Sequence, residues 1–472
     1  MTIEQDVNAE PLSRRQAIIA DVLARLRHAL APDGERGRAQ RAALTAFAIR
    51  VLSAGIAYLT QVVLARWMGS YEYGIFVFVW VWVLILGGLS SLGINIAVIR
   101  FVPEYKERNE PDLLRGILLG SRLLTVLVST SVALTGLLGL KIFAASLDNH
   151  YVLPLYLALF CLPLYTLTDM QDGIGRGHSW FQLALLPPYV IRPLLILLAM
   201  VAAHELDLPM VASTAAGCAI FATWATGLLQ LALVQRRLAV EPGPGSYAFE
   251  TRTWLVTALP IFMISGFELL IQNTDVLVLT SFESADTVGI YYAALKTIGL
   301  ISFVHYAVGS ALASRLSTLN TRGDRQGLES FVRDAANWTF WPSLGAAVLL
   351  LLAGPALLSL FGPGFESGYP VMFLMVVGYL IRASVGPAEF VLRMLGEQTS
   401  CAVVFGVSAV FNLMANLLLV PQLGLIGAAI SSSATLLGAS IAFYVIAKRR
   451  LGLDIAVWSG MLGRRGRQSD RS

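Results

Sequence analysis

Charge is scarce in this sequence, and lysine is scarcer still. Only 14% of the 472 residues are Asp, Glu, Lys or Arg, against roughly 25% in an average soluble chain, and four lysines stand beside 30 arginines. With 56% hydrophobic residues and a mean hydropathy of +0.69, the chain is an integral membrane protein. Cys161, Cys218 and Cys401 are isolated in apolar runs, which excludes a disulfide framework or a zinc site and leaves them as small hydrophobes. His28, His150, His178, His204 and His305 are as scattered, so no metal cluster is expected. The lysines follow Tyr105, Leu140, Leu295 and Ala447, so none closes the Gly-Lys-Ser/Thr loop that cradles phosphate in an ATP-driven pump. Gly173-Ile-Gly-Arg-Gly177 joins two apolar runs and reads as a flexible loop. Arginines from Arg14 to Arg41 leave no uninterrupted apolar stretch for a signal peptide. Long loops are missing too: outer connections of about ten residues and inner ones under about 25 leave no room for a catalytic domain, so an enzyme is not expected.

What is present is a series of apolar runs about 20 residues long, the length that crosses ~30 Å of hydrocarbon. They fall at 42–65, 74–99, 113–140, 151–169, 180–203, 209–235, 253–281, 287–314, 337–361, 369–393, 398–420 and 425–448. Twelve spans are therefore expected in an all-α polytopic fold. Lys and Arg concentrate in cytoplasmic loops, and with the N-terminus inside, the inner segments hold 27 of them against Arg66 and Lys141 outside. Both termini are expected in the cytoplasm. Between Leu12 and Leu30, Ile18, Ile19, Val22, Leu23, Leu26 and Leu30 recur at helical spacing among arginines, which predicts an amphipathic helix on the anionic inner leaflet. Pro32 to Gln40 reads as unstructured, and Leu451 to Leu462 as an interfacial segment carrying Trp458.

The chain also repeats itself. Leu64 to Phe76, with Gly74 near its end, reappears 215 residues later as Leu279 to Tyr291, with Gly289 in the matching place, and the same offset carries Arg100 onto Arg315. The offset covers six spans, an even number, so the halves enter the membrane in the same sense. Parallel repeats imply a twofold axis along the membrane normal and a site between the halves near mid-depth. The resulting division is a cytoplasmic extension (1–41), a six-helix lobe (42–240), a Pro/Gly linker (241–252), a second lobe (253–450) and a basic tail (451–472).

Ionisable groups inside spans cost at least ~2.5–3.5 kcal/mol each and therefore face a partner or a watery cavity. They are Arg50, Arg122, Arg192, Glu268, Asp275, Lys296, Arg382 and Glu389, five basic against three acidic. That balance suits an anionic substrate, with Arg50, Arg122, Arg192, Lys296 and Arg382 as candidate binding residues. Arg50 and Arg122 lie about two turns, ~12 Å, from the inner ends, within partial reach of snorkelling. Asp275 and Lys296 sit at similar depth on consecutive helices and predict an ion pair. Alternatively, Asp275 or Glu268 couples transport to H⁺ or Na⁺, since a carboxylate in a low-dielectric cavity can exchange protons near neutral pH. The 215-residue offset places Thr60 and Val81 opposite Asp275 and Lys296, so any coupling is expected in the second lobe alone. Glu389, two turns after Arg382 and one before Arg393, is placed to neutralise both.

Arg66-Trp-Met-Gly-Ser-Tyr-Glu-Tyr-Gly-Ile-Phe76, Asn273-Thr-Asp-Val-Leu-Val-Leu279, Val288-Gly-Ile-Tyr-Tyr-Ala-Ala294 and Pro421-Gln-Leu-Gly-Leu-Ile-Gly-Ala-Ala429 together resemble the polysaccharide transporter family. These are the Wzx-type flippases, in the superfamily that also holds lipid II flippases and multidrug and toxin extruders. The resemblance implies a V-shaped pair of bundles that moves an undecaprenyl-pyrophosphate-linked repeat unit across a bacterial inner membrane. Its implied partners are the lipid-linked oligosaccharide, the bilayer and polysaccharide polymerase or export proteins, with no nucleic acid and no cofactor beyond a coupling H⁺ or Na⁺. A drug/cation antiporter of the same superfamily and a non-transporting scaffold of the export machinery are the alternatives. Neutralising Arg192 and Arg382 separates them, since it abolishes flipping and spares the other two.

Overall fold

In hydrocarbon every backbone N–H and C=O must find its partner within the chain, which leaves helices as the economical way to cross. The computed structural model describes residues 35–143 and 149–458, and these are helical with no strand among the described residues. The first half comprises α1 (Glu35–Ser90), α2 (Ile94–Glu107), α3 (Pro111–Phe143), α4 (Asn149–Gly177), α5 (Phe181–Glu205, with a π-helical turn at Pro187–Ile191) and α6 (Ala212–Leu238). The second comprises α7 (Thr251–Ile271), α8 (Thr274–Phe282), α9 (Ala285–Ile298), α10 (Ser302–Thr321), α11 (Arg325–Ser359), α12 (Tyr369–Ser384), α13 (Ala388–Met394), α14 (Gln398–Leu423) and α15 (Leu425–Ile446).

Eleven helical stretches are long and apolar enough to cross a membrane. The first, Ala48–Ser90, has 43 residues and would measure about 65 Å if straight, twice the hydrocarbon thickness. Its backbone leaves helical geometry at Gly69 (φ 75°, ψ 170°), between the first and second predicted spans. Twelve crossings result, as the hydropathy pattern predicts.

The repeat is visible where the lobes meet. A Cβ on Gly74 of α1 would lie 1.8 Å from the carbonyl oxygen of Ala285, four residues before Gly289. Reciprocally, a Cβ on Gly289 of α9 would lie 2.5 Å from the carbonyl oxygen of Ser70, four residues before Gly74. Two equivalent helices thus cross backbone to backbone at equivalent glycines, and the pseudo-twofold axis runs through that crossing.

Three local expectations need correction. Gly173 to Gly177 is not a loop: α4 continues through it, and its glycines admit neighbours, since a Cβ on Gly173 would lie 2.0 Å from the Asn95 carbonyl oxygen of α2. The fourth span therefore reaches eight residues beyond 169. Helix α1 starts at Glu35, inside the segment read as unstructured, because nothing after Pro32 except Gly34 and Gly37 resists helix. The stretch after Leu451 does not lie as an interfacial helix as far as Trp458: Leu453, Ile455, Ala456 and Val457 are buried, and the Val457 N–H donates to the Ser384 carbonyl (2.9 Å) freed at the end of α12. The amphipathic stretch Leu12 to Leu30 lies outside the described residues. Between α6 and α7, the chain runs under the first lobe, where the Ala248 N–H donates to the Asp112 carbonyl (3.0 Å) and Arg115 Nε to that of Gly243 (3.0 Å).

Candidate functional site

The lobes diverge from the glycine crossing and enclose a cavity of about 450 Å³. Its first-lobe wall is Ala54, Ala57, Tyr58, Gln61, Trp80 and Leu84; its second-lobe wall includes Gln272, Asp275, Tyr292, Lys296, Tyr306, Tyr379, Arg382 and Ser432. Lys296 is eleven residues, about 16 Å, below the outer start of α9, halfway through the hydrocarbon. The site is therefore between the lobes and near mid-depth.

Its outer end is sealed by aromatic rings from both lobes. Tyr58 meets Phe361 edge-on (centroids 5.6 Å apart), Tyr73 meets Phe365 (6.0 Å) and Tyr292 (6.4 Å), and Tyr73, Phe361 and Phe365 are all but inaccessible. Such ring pairs contribute ~0.5–1.5 kcal/mol beyond their burial. Polar ties reinforce them: Ser70 Oγ to Asp286 Oδ1 at 2.5 Å, Tyr58 to Thr297 through their hydroxyls at 3.1 Å, and Arg66 Nη1 to the Leu360 carbonyl at 3.3 Å. The state seen is closed toward the outside.

Three of the seven predicted site residues, Asp275, Lys296 and Arg382, line this cavity, and Glu268 lines a small adjoining pocket. The expected Asp275–Lys296 ion pair does not form. Asp275 is buried and accepts from the Tyr291 hydroxyl (2.5 Å), the Ser432 hydroxyl (3.3 Å) and the Val276 N–H (2.9 Å). Lys296 lies over the Tyr292 ring, 4.6 Å from its centroid, and has no carboxylate within ion-pair distance among the described residues. Both line the same cavity, but the Asp275 carboxylate is taken up by the Tyr291 and Ser432 hydroxyls and the Lys296 ammonium by the Tyr292 ring.

Arg382 is held differently. At seven residues' separation on an unbroken helix it would stand about 10.5 Å from Glu389, yet its Nη2 lies 2.6 Å from Glu389 Oε1. The helix breaks between α12 and α13, where Gly386 takes φ 61° and Pro387 supplies no N–H. The break folds the two side chains together. Glu389 Oε1 also lies 2.7 Å from His305 Nε2 of α10, while Arg393 turns instead to Glu268 (3.5 Å). Glu389 thus neutralises Arg382 as expected, and not Arg393.

Arg50, Arg122 and Arg192 do not line the cavity. Arg50 stacks on Tyr189 (3.8 Å to the centroid), which the π-helical turn of α5 presents, and Arg192, just after that turn, stacks on Tyr165 (4.6 Å). Both interact electrostatically with Asp169 and with Arg176 form a first-lobe cluster, in which Asn95 Nδ2 donates to Asp169 (2.6 Å) and Arg176 to Asp172 (2.5 Å). Arg122 lies between α3 and α6, where Nη1 donates to Gln235 (2.9 Å). Asp172 and Arg176 are absent from the candidates that hydropathy picks out, because the apolar run stops at 169 while the helix goes on, and Asp169 is the last residue of that run; the Asp172/Arg176 spacing of four, a helical ion-pair signature, is the signal that finds the cluster. Counting Asp169, Asp172 and Arg176, the interior excess of cations falls from two to one.

Comparisons with known proteins agree with this architecture. Residues 41–317 match the polysaccharide biosynthesis protein family. An uncharacterized membrane protein of Methanocaldococcus jannaschii is 22% identical over 405 residues, 81% of this chain and 78% of its own. Among solved structures, an inward-facing multidrug resistance MATE family transporter of the MOP superfamily superposes with a TM-score of 0.69 at 14% identity, covering 86% of this chain and 98% of its own. Lipid II flippase MurJ in an inward closed conformation gives 0.66 at 14%, covering 85% and 87%. At such identities the structural likeness speaks for the fold. The family match covers more than half of the sequence on a two-lobed frame of twelve crossings, and the chain belongs to the polysaccharide biosynthesis protein family.

Proposed function

We propose that this protein flips an undecaprenyl-pyrophosphate-linked oligosaccharide from the cytoplasmic to the periplasmic leaflet of a bacterial inner membrane, by alternating access of its two lobes. The observation that carries the reading is Lys296: an ammonium without a carboxylate partner among the described residues, at mid-depth on the wall of the cavity between the lobes. A cation left in that position favours a diphosphate headgroup over a cationic drug, because charge in low dielectric is stabilised chiefly by an opposite charge. The prenyl chain stays in lipid, while the headgroup and sugars pass through the cavity. Polysaccharide polymerase or export proteins would receive the product. Deleting the gene and analysing lipid-linked sugars tests the reading: repeat units should accumulate on the inner leaflet, and an unchanged lipid pool would remove it. Lys296→Gln, normally inserted, should reproduce most of that accumulation; full complementation would take the headgroup away from this side chain.

Asp275 supports coupling to an H⁺ or Na⁺ gradient, since it is a buried carboxylate on the cavity wall held by hydroxyl donors, with Lys296 acting on it only from beyond ion-pair distance. Glu268, beside Arg393, is the weaker candidate. Asp275→Asn keeps the shape and removes the charge. Transport in vesicles should then lose its dependence on an imposed gradient while the protein inserts normally; gradient-dependent transport at the wild-type rate would clear Asp275 of the role.

A further inference from the structure

Arg382 reaches two environments. Its side chain is 20% exposed and lines the inter-lobe cavity, while Nη2 is bound to Glu389. Glu389 in turn is shared with His305, whose ring is buried and whose Nδ1 has no partner among the described residues. A pocket of about 60 Å³, lined by Glu268, Gln272, Arg382, Glu389, Thr435 and Ser440 among apolar side chains such as Phe405 and Phe443, adjoins Arg382 and Glu389 and shares Gln272 and Arg382 with the main cavity. A volume of roughly 10–15 Å³ admits a water, so the pocket has room for water beside the Glu389 carboxylate.

We infer that Arg382, Glu389 and His305 form a proton-linked anion site, in which a proton on His305 Nδ1 frees the charge of Arg382 for a phosphate in the cavity. Nε2–H donates to Glu389 in both charge states, so the exchanging proton is the one on Nδ1. With His305 neutral, the single charge of Glu389 is answered by Arg382 alone. With His305 protonated, Glu389 has two cations for one charge, and Arg382 carries a surplus on the cavity side. A phosphate there is bound more tightly, and by linkage its binding is accompanied by proton uptake.

The charged surroundings leave that exchange to these groups. Helix α13 presents Glu389, with Arg393 held by Glu268 of α7; α12 presents Arg382; and Tyr306 adjoins His305 on α10. The charges of α11, the other helix packed on α10, are Arg325, Glu329, Arg333 and Asp334, all within its first ten residues at the inner end. The turn Gly299–Ile301 has no titratable side chain.

This rests on the proposal that an anionic headgroup enters the inter-lobe cavity, and the test separates the two. The probe is a fluorescent short-chain prenyl phosphodiester, whose one acid stays ionised across the range, bound to the full-length protein in detergent. Wild-type affinity should rise about tenfold from pH 8 to pH 5.5, within the usual span of allosteric couplings, and His305→Gln, which keeps a donor toward Glu389, should flatten the curve. In weak buffer near pH 6.5, binding should draw protons from solution in the wild type and none in His305→Gln. A pH slope or proton uptake that survives in His305→Gln overturns the inference and leaves the flippase reading standing. No binding to the wild type at any pH overturns both.

Discussion

Gly74→Ala should abolish transport and lower the thermal stability of the protein, although it adds a single methyl group. On an ordinary helix the change would stabilise by up to ~1 kcal/mol, because glycine pays more backbone entropy than alanine. Here the methyl would sit 1.8 Å from the Ala285 carbonyl oxygen and 3.1 Å from the Gly289 nitrogen. Backbone atoms cannot step aside as a side-chain tip can, so the lobes themselves must separate. Overpacking of this kind costs ~1–3 kcal/mol, and the aromatic seal directly beneath the crossing loses its fit. The outer mouth should then open, and Ala57→Cys, which puts a thiol on the cavity wall without touching the seal, should become reactive to an impermeant thiol reagent from outside. Gly217→Ala is the control: nothing lies within 4 Å of its added Cβ, and stability should hold or rise. Wild-type melting and transport in Gly74→Ala would show that the crossing is not a fixed point of the fold.

That crossing is written in the sequence only indirectly. The 215-residue offset pairs Gly74 with Gly289, and a parallel repeat requires an axis between the halves, but it takes the packing of α1 on α9 to show the axis passing through those two residues. Spans are legible because hydropathy over 20 residues is a strong signal. Where helices end is not, and the cost falls on chemistry: glycines at 173, 175 and 177 look like a turn, yet in lipid they allow close helix packing, and Asp172 and Arg176 are missed with them. Angular position about each helix is equally hidden. Asp275 and Lys296 share a depth and take different neighbours, while Arg382 and Glu389, two turns apart in the sequence, meet across the break at Gly386 and Pro387. His305 carries no signal at all, since a lone histidine acquires meaning only from the carboxylate folded against it.

The same break makes a test that separates fold from function at Arg382. Arg382→Gln leaves Glu389 in the interior with only His305 to answer it, and removing one partner of a buried ion pair costs ~3–5 kcal/mol. The variant should melt early, express poorly and fail to transport. Taken alone, that result says nothing about substrate, because a destabilised transporter fails for any reason. The double variant, Arg382→Gln with Glu389→Gln, removes both charges and leaves two amides able to hydrogen-bond in their place. Replacing a buried pair as a unit is often neutral for stability, so melting should return to within a few degrees of the wild type. Transport should not return, because the cavity wall then lacks the guanidinium that meets the phosphate. Recovery of both would reduce Arg382 to a structural cation; recovery of stability alone would place it on the path of the substrate.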